Sequence, residues 1–100
     1  MNFELISKEK VLEIAKAFLG SCNWVLEMDE EFISIPRDVN LVVATRSYIE
    51  EDIKGYTWGN HFQAKVLLEP QENGVNKYGT LALYISLNGV LISEDRGWYI

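Results

Sequence analysis

Two apolar runs flanking an Asn-Gly pair constrain the fold of this chain more strongly than any other feature. Residues 80–87 and 90–93 flank Asn88 and Gly89. This pair favours a two-residue type I′ turn, because both central residues of that turn take positive φ. Such a turn predicts an antiparallel hairpin with Leu87 opposite Val90 and Ile85 opposite Ile92. The residues that would then share the core face are Leu81, Leu83, Ile85, Leu87, Val90 and Ile92.

Four further segments have strand patterns. Residues 62–69 alternate, which predicts a strand that turns Phe62, Ala64, Val66 and Leu68 inward. Shorter runs at 24–28 and 32–35 predict two strands separated by an acidic turn. The β-branched run 41–45 predicts a strand buried on both faces.

Residues 8–19 carry apolar side chains at a spacing of three and four, which predicts an amphipathic helix. Ser7 can cap its first turn, and Gly20 can end it in a left-handed conformation. A second, short helix is predicted from Ser47, because Ser47 and Glu50 have the spacing of a capping box and Gly55 could close it.

Short connections between the strands require antiparallel pairing. We therefore expect an α+β fold, with one N-terminal amphipathic helix packed on a curved, mainly antiparallel sheet of about five strands. The 100 residues allow a single domain over 1–100. No apolar run approaches the roughly 20 residues of a membrane span, and the start lacks the layout of a signal peptide. We expect a soluble, cytoplasmic protein that does not bind membranes.

The net charge of -6 is confined to one stretch of the chain. Residues 27–52 hold eight acids and two arginines, whereas the segments on either side are neutral. This acidity argues against direct binding of nucleic acid, whose phosphates are contacted by Lys and Arg. The acids form two clusters, at 29–31 and 50–52, and neither has the spacing of a calcium loop. They are either solvated turns or an acidic face that steers a basic partner.

The residues available for catalysis are few. Cys22 and His61 are the single cysteine and the single histidine, so an internal disulfide and a His-rich zinc site are excluded. The flank of Cys22 faintly echoes that of papain-like nucleophiles, with His61 as base, but there the cysteine begins a helix and here it follows one. The glycines form no phosphate-binding run. We expect no enzyme activity, no metal and no cofactor.

Aromatic residues supply candidate anchors for a protein interface, because Trp and Tyr bury large areas at low entropic cost. Tyr56 and Trp58 follow the second acidic cluster in the sequence. The predicted partner-binding residues are Asp29, Glu30, Glu31, Glu50, Glu51, Asp52, Tyr56 and Trp58. We interpret Phe62 as a core residue, Cys22 as a small buried or half-buried residue, and His61 as a loop residue with its hydrogen bonds satisfied.

One segment has the pattern Gly-aromatic-x-aromatic at residues 55–58, and Gly79 then precedes an apolar strand over 81–85 and a turn at Gly89. With the N-terminal helix, these features resemble the small bacterial immunity proteins of polymorphic-toxin systems, over roughly residues 8–20 and 55–92. Where those proteins have a proline in the strand after the first glycine, this chain has Leu81 and Ala82. The resemblance implies a protein that binds and blocks a toxin made by the same cell, without catalysis of its own.

Three functional hypotheses follow. The first is a non-catalytic binding protein, an immunity protein or inhibitor, which blocks a basic partner such as a toxin or nuclease through an acidic and aromatic surface. The second is a small α+β ligand-binding domain, a cone-shaped sheet around the helix, with Trp58, His61 and Tyr84 lining a pocket. The third is a subunit of a larger assembly, for example a homodimer through the edge of the hairpin.

Overall fold

The fold combines one helix with antiparallel sheets, as expected for the α+β class. The computed structural model describes residues 4–28, 30–50, 58–69 and 78–97. Within these ranges the helix α1 spans Lys8–Ser21, and six strands follow it. They are β1 Val25–Met28, β2 Glu31–Ser34, β3 Asn40–Ile49, β4 His61–Glu69, β5 Thr80–Ser86 and β6 Leu91–Gly97. They form a two-stranded sheet β1-β2 and a four-stranded sheet β3-β4-β5-β6, instead of one sheet of about five strands.

The helix α1 is amphipathic and begins where the sequence predicts. The Ser7 hydroxyl accepts a hydrogen bond from the Lys10 backbone N–H at 3.1 Å, which satisfies one free donor of the first turn. Its buried side chains are Val11, Ile14, Ala15 and Leu19. The prediction that Gly20 ends the helix is wrong. The helix continues to Ser21, and Asn23 takes the positive φ of 54° beyond its end.

The β1-β2 hairpin matches the two short predicted strands within one residue at each boundary. Glu31 pairs with Met28 and therefore belongs to β2, not to the turn. The turn residue Glu30 has a φ of 67°, which is uncommon for a residue with a side chain. The backbone N–H of Ile35 donates to the Trp24 carbonyl at 2.6 Å and so closes the open end of the hairpin.

Strand β3 departs from the sequence prediction in two ways. Leu41 and Val43 are buried but Thr45 is exposed, so only one face of this edge strand is covered, not both. A register shift between Val43 and Thr45 bends the strand. The predicted helix from Ser47 is also wrong, because residues 47–49 pair with β4. Its remainder after residue 50 lies outside the described residues.

Strand β4 is a central strand, and its predicted alternation is confirmed. Phe62, Ala64, Val66 and Leu68 are all buried, with at most 5% of their surface exposed. Strands β3 and β5 pair on either side of it. Both strands run antiparallel to β4, and their registers place Ile49 of β3 and Ser86 of β5 on either side of His61. The connection from β4 to β5 includes residues 70–77, which lie outside the described part of the chain.

The β5-β6 hairpin is present, but its turn differs from the predicted type I′ turn. The Ser86 N–H donates to the Val90 carbonyl at 2.8 Å, and the Gly89 N–H donates to the Ser86 carbonyl at 2.9 Å. Gly89 has a φ of 84°, whereas Asn88 is not among the described residues with positive φ. This is a three-residue loop in which the glycine takes the left-handed position, a common alternative to the two-residue turn.

The longer loop changes the register at the hairpin end of β6. Ile85 pairs with Leu91, and Tyr84 pairs with Ser93, so Ile92 is the extra residue of a bulge. Leu91 therefore packs against the core in place of Ile92. Leu87 and Val90 were predicted in the core, but they are 39% and 62% exposed.

The hydrophobic core lies between α1 and one face of the four-stranded sheet, which we call the inner face. Buried residues of α1, β3, β4 and β5 form one cluster there, with Leu26 of β1 and Ile35. Leu81, Leu83 and Ile85 have no exposed surface, so three of the six predicted core residues of the hairpin are confirmed. Among the described residues, no helix combines the length and the apolar character needed to cross a bilayer.

Candidate functional site

The opposite face of the four-stranded sheet, the outer face, carries the candidate site. No helix or strand of the described ranges packs on it. Because side chains alternate along a strand, this face receives the residues between the core positions. In β4 these are His61, Gln63 and Lys65, and in β5 Tyr84 lies opposite Gln63.

A cavity of about 320 Å³ opens on the outer face where β3 ends and β4 begins. Pockets that bind small molecules typically enclose about 300–1,000 Å³, so this cavity is at the small end of that range. It has room for one side chain of a partner or for one small molecule. The residues that line it are Ile49, Trp58, His61, Gln63, Tyr84, Ser93, Glu94 and Asp95.

Three aromatic rings form one wall of this cavity. The ring centroids of Trp58 and Tyr84 are 5.0 Å apart with an interplanar angle of 41°. Trp58 meets His61 edge to face, at 5.4 Å and 88°. His61 and Tyr84 are 6.2 Å apart. The prediction that Trp58, His61 and Tyr84 line a pocket is therefore confirmed, although the pocket lies on the sheet face away from the helix.

His61 is a buried polar residue, with 3% of its surface exposed. Its Nδ1 lies 2.8 Å from the Gly59 carbonyl oxygen. A carbonyl oxygen can only accept, so Nδ1 carries the proton, and in the neutral ring Nε2 is the acceptor nitrogen. His61 was predicted as a loop residue with its hydrogen bonds satisfied. The bond to Gly59 agrees with that interpretation, but His61 is the first residue of β4 and not a loop residue.

The cavity has an acidic side on β6. Asp95 lies opposite Ala82, on the outer face, and is exposed. Glu94 lies opposite Leu83 and so points its side chain to the other face, where its carboxylate is 3.6 Å from the Arg96 guanidinium. Asp95 is therefore the carboxylate that a ligand in the cavity can reach from β6. No lysine or arginine occurs among the described residues that line the cavity.

The structure places four of the eight predicted partner-binding residues. Trp58 lines the cavity, and the exposed Glu50 directly follows the lining residue Ile49. Glu30 and Glu31 are exposed in the β1-β2 hairpin. The other four lie outside the described residues, namely Asp29, Glu51, Asp52 and Tyr56.

The hairpin acids and Glu50 lie at different parts of the molecule. The Arg96 guanidinium donates to the Glu27 carbonyl at 2.9 Å, which ties the β1-β2 hairpin to β6. Arg96 pairs with Leu81, which pairs with Val66, so Arg96 is level with Val66 across the sheet. Ile49 pairs with His61 and is level with that residue. Five residues along a strand separate these levels by about 17 Å, and three strand spacings add about 14 Å across the sheet. Glu50 and the hairpin acids therefore lie apart, and none of Glu30, Glu31 and Glu50 is among the residues that line the cavity.

The sequence interpretation missed Gln63, Ser93 and Asp95. The predicted last strand ended at Ser93, so Asp95 was treated as part of a neutral segment. Gln63 lies between the predicted inward residues Phe62 and Ala64 and was not considered as a site residue. Their proximity depends on the pairing of three strands, because Gln63 lies opposite Tyr84 and Tyr84 lies opposite Ser93. The nearest sequence signal was the alternation of residues 62–69, which assigns Gln63 to the outer face.

Cys22 and His61 do not form a catalytic pair. Cys22 is half-buried, as predicted, and packs against the core cluster at the end of α1. His61 projects from the other face of the sheet, so the sheet itself lies between the two side chains. Among the residues that the structure describes, no three His, Cys, Asp or Glu side chains are grouped to hold a metal ion.

Comparisons with protein-family models, with curated proteins and with solved structures found no match to this chain.

Proposed function

We propose that this chain is a non-catalytic binding protein of the immunity-protein or inhibitor type, which blocks a basic protein partner such as a toxin or nuclease. The interface is centred on the outer-face cavity, where Trp58 and Tyr84 serve as aromatic anchors. The observation that carries the proposal is this aromatic wall, on a sheet face on which no described helix or strand packs, with Asp95 in the lining of the cavity.

The composition of the cavity wall fits an interface centre. Energetic hot spots of protein interfaces are enriched in Trp and Tyr. They lie in well-packed pockets, and the contacts around them exclude water on binding. Trp58 and Tyr84 are both partly buried, so their conformations are already restricted before a partner arrives. A restricted side chain loses little entropy on binding, and this favours affinity.

The charge around the cavity fits a basic partner. Asp95 lines the cavity and is exposed, the exposed Glu50 follows the lining residue Ile49 in the chain, and the chain as a whole carries a charge of -6. Such a surface raises the association rate of a basic partner more than it raises the affinity itself.

A second candidate function, binding of a small ligand, is favoured by the enclosed volume of about 320 Å³. In that case the cavity would take a small molecule with a few polar groups, oriented by His61, Gln63 and Ser93. The two functions differ in the size of what is bound.

The test uses the full chain as bait in extract of its native cells, beside two variants. Trp58→Ala removes the anchor, and Phe32→Ala is the control, since Phe32 is 74% exposed and lies in the β1-β2 hairpin. A candidate partner is then purified and titrated, and its own activity is measured with and without the bait. The proposal expects a stoichiometric complex that suppresses this activity and that is weakened at least tenfold by Trp58→Ala alone.

Two results would contradict this function. The first is a partner that binds Trp58→Ala and the original chain equally well, because the cavity would then lie outside the interface. The second is the absence of any protein partner together with saturable binding of a small molecule in the cavity, which would establish the second candidate function instead.

A further inference from the structure

The outer-face cavity offers an incoming group electron-rich ring faces and hydrogen-bond acceptors. Trp58 and Tyr84 present partly exposed rings, whose faces carry partial negative charge. Asp95 adds a carboxylate on the β6 side. His61 lies beside them in the lining, with its Nδ1 2.8 Å from the Gly59 carbonyl oxygen. The ring faces and the carboxylate favour a ligand that is a cation and a hydrogen-bond donor.

We propose that the cavity recognises a guanidinium group, and that its occupant is an arginine side chain of the partner protein. This inference rests on the proposed function and specifies which group of the partner inserts. A guanidinium is planar and stacks on aromatic rings, and it donates to a carboxylate through two parallel N–H groups. A lysine ammonium is a compact and more strongly hydrated charge, so it loses more hydration free energy when it leaves water.

The ring geometry indicates where the guanidinium lies. The Trp58 and Tyr84 rings are in contact with each other at 5.0 Å, so there is no gap between them for a third plane. The cation therefore lies over an outward ring face, within about 6 Å of its centroid, with its N–H groups directed at Asp95. One end of the group is held by the ring and the other by the carboxylate.

The described basic residues of the chain do not fill this role themselves. Arg46 donates to the Ile6 carbonyl on the inner face. Arg96 is engaged by Glu94 and by the Glu27 carbonyl. Lys65 is exposed on the outer face, in the row of Asp95 but two strands away, a separation of about 10 Å. Lys65 thus repels a bound cation weakly without occupying the cavity.

The test titrates the full chain with three N-acetyl, N′-methylamide amino acids, those of arginine, lysine and citrulline. Citrulline has nearly the shape of arginine but no charge. Binding is followed by the NMR amide signals of residues 61, 63 and 84. We expect saturable shifts with the arginine compound, at least about fivefold weaker binding of the lysine compound, and no saturation with the citrulline compound.

Three variants locate the bound group. Asp95→Asn keeps the shape of an exposed side chain, so the fold is retained while affinity for the arginine compound falls at least about fivefold. Glu30→Gln removes the same charge from the β1-β2 hairpin and should leave affinity within about twofold. Lys65→Gln should strengthen binding slightly, and more so at low salt.

The outcomes separate this inference from the proposed function. Equal binding of the arginine and citrulline compounds, or an unchanged affinity in Asp95→Asn, overturns guanidinium recognition, while a partner that still requires Trp58 keeps the binding function. Specific arginine binding without any protein partner keeps the cavity chemistry and overturns the proposed function. The same compounds added to a purified complex should compete with the partner, and failure to compete at saturation also overturns the inference.

Discussion

Trp58 and Tyr84 pack against each other with ring centroids 5.0 Å apart, although 26 positions separate them in the sequence. Tyr84 reaches this position because β5 pairs with β4 and sets it opposite Gln63. Trp58 reaches it because Gly59, with a φ of 67°, turns the chain just before β4 begins. The cavity wall is thus formed by a turn and a strand pair together, and neither alone would place both rings.

Trp58→Ala should lower the free energy of unfolding by about 1–3 kcal/mol, because Trp58 contacts both His61 and Tyr84. The measurement is urea denaturation followed by circular dichroism. Phe32→Ala is the matched aromatic control, and at 74% exposure it should change stability by less than about 0.5 kcal/mol. Equal losses in both variants would show that the ring cluster contributes nothing specific.

Leu83→Ala and Leu87→Ala remove the same atoms from two positions of one hairpin. Leu83 has no exposed surface, so its truncation leaves a cavity and should cost about 2–5 kcal/mol. Leu87 is 39% exposed in the loop, and its truncation should cost less than about 1 kcal/mol. Denaturation midpoints measure both. If Leu87→Ala were as harmful as Leu83→Ala, the two-residue turn with Leu87 in the core would be the better description.

Gly89→Ala and Gly20→Ala should shift stability in opposite directions. Gly89 has a φ of 84°, and a Cβ there would lie 3.2 Å from Lys10 Cε, so alanine should cost about 1–2 kcal/mol. Gly20 lies within α1 with open space around it, and alanine should add about 0.5 kcal/mol. Thermal melts of both variants decide this. A stabilising Gly89→Ala would contradict the left-handed loop position.

Ser7→Ala and Ser47→Ala distinguish a real helix cap from one that only the sequence pattern suggested. Ser7 accepts the hydrogen bond of the Lys10 N–H, and losing it should cost about 1 kcal/mol. Ser47 is exposed on β3, so its replacement should change stability by less than about 0.5 kcal/mol. Chemical denaturation gives both values. A larger loss in Ser47→Ala than in Ser7→Ala would mean that a helix does begin there.

Charge reversal at Glu50 should slow association with the proposed basic partner severalfold at low salt, because Glu50 adjoins the cavity residue Ile49. Reversal of Glu30 or Glu31 in the β1-β2 hairpin should have a smaller effect, since neither residue lines the cavity or follows a lining residue in the chain. Stopped-flow association at two salt concentrations measures the rates. A larger decrease of the association rate in the Glu30 or Glu31 variant would show that the interface lies at the β1-β2 hairpin.

Local patterns in the sequence predicted much of the fold. The helix α1 and the inward face of β4 were predicted because each pattern is set by residues next to one another in the chain. Propensity and periodicity depend on residues within one helix or strand, so the predictions made from them do not depend on which other elements it packs against. The pocket residues Trp58, His61 and Tyr84 were also anticipated from their types.

The sequence predictions are wrong where a local pattern favours one structure but pairing with a neighbouring strand favours another. Ser47 and Glu50 match a capping box, yet pairing with β4 draws residues 47–49 into a strand. Asn88 and Gly89 match a two-residue turn, yet the hairpin takes a three-residue loop and a bulge at Ile92. In both cases the pairing of the whole sheet outweighs a preference that amounts to about 1 kcal/mol.

The sequence by itself determined the α+β class, the amphipathic helix and the confinement of the net negative charge to residues 27–52. Only the tertiary structure decided that Gln63 lies opposite Tyr84 and that Asp95 joins Gln63, Tyr84 and Ser93 at the cavity. The reason is physical, since the order of strands that are distant in sequence arises from long-range pairing, whereas a turn pattern specifies only the register of its own hairpin.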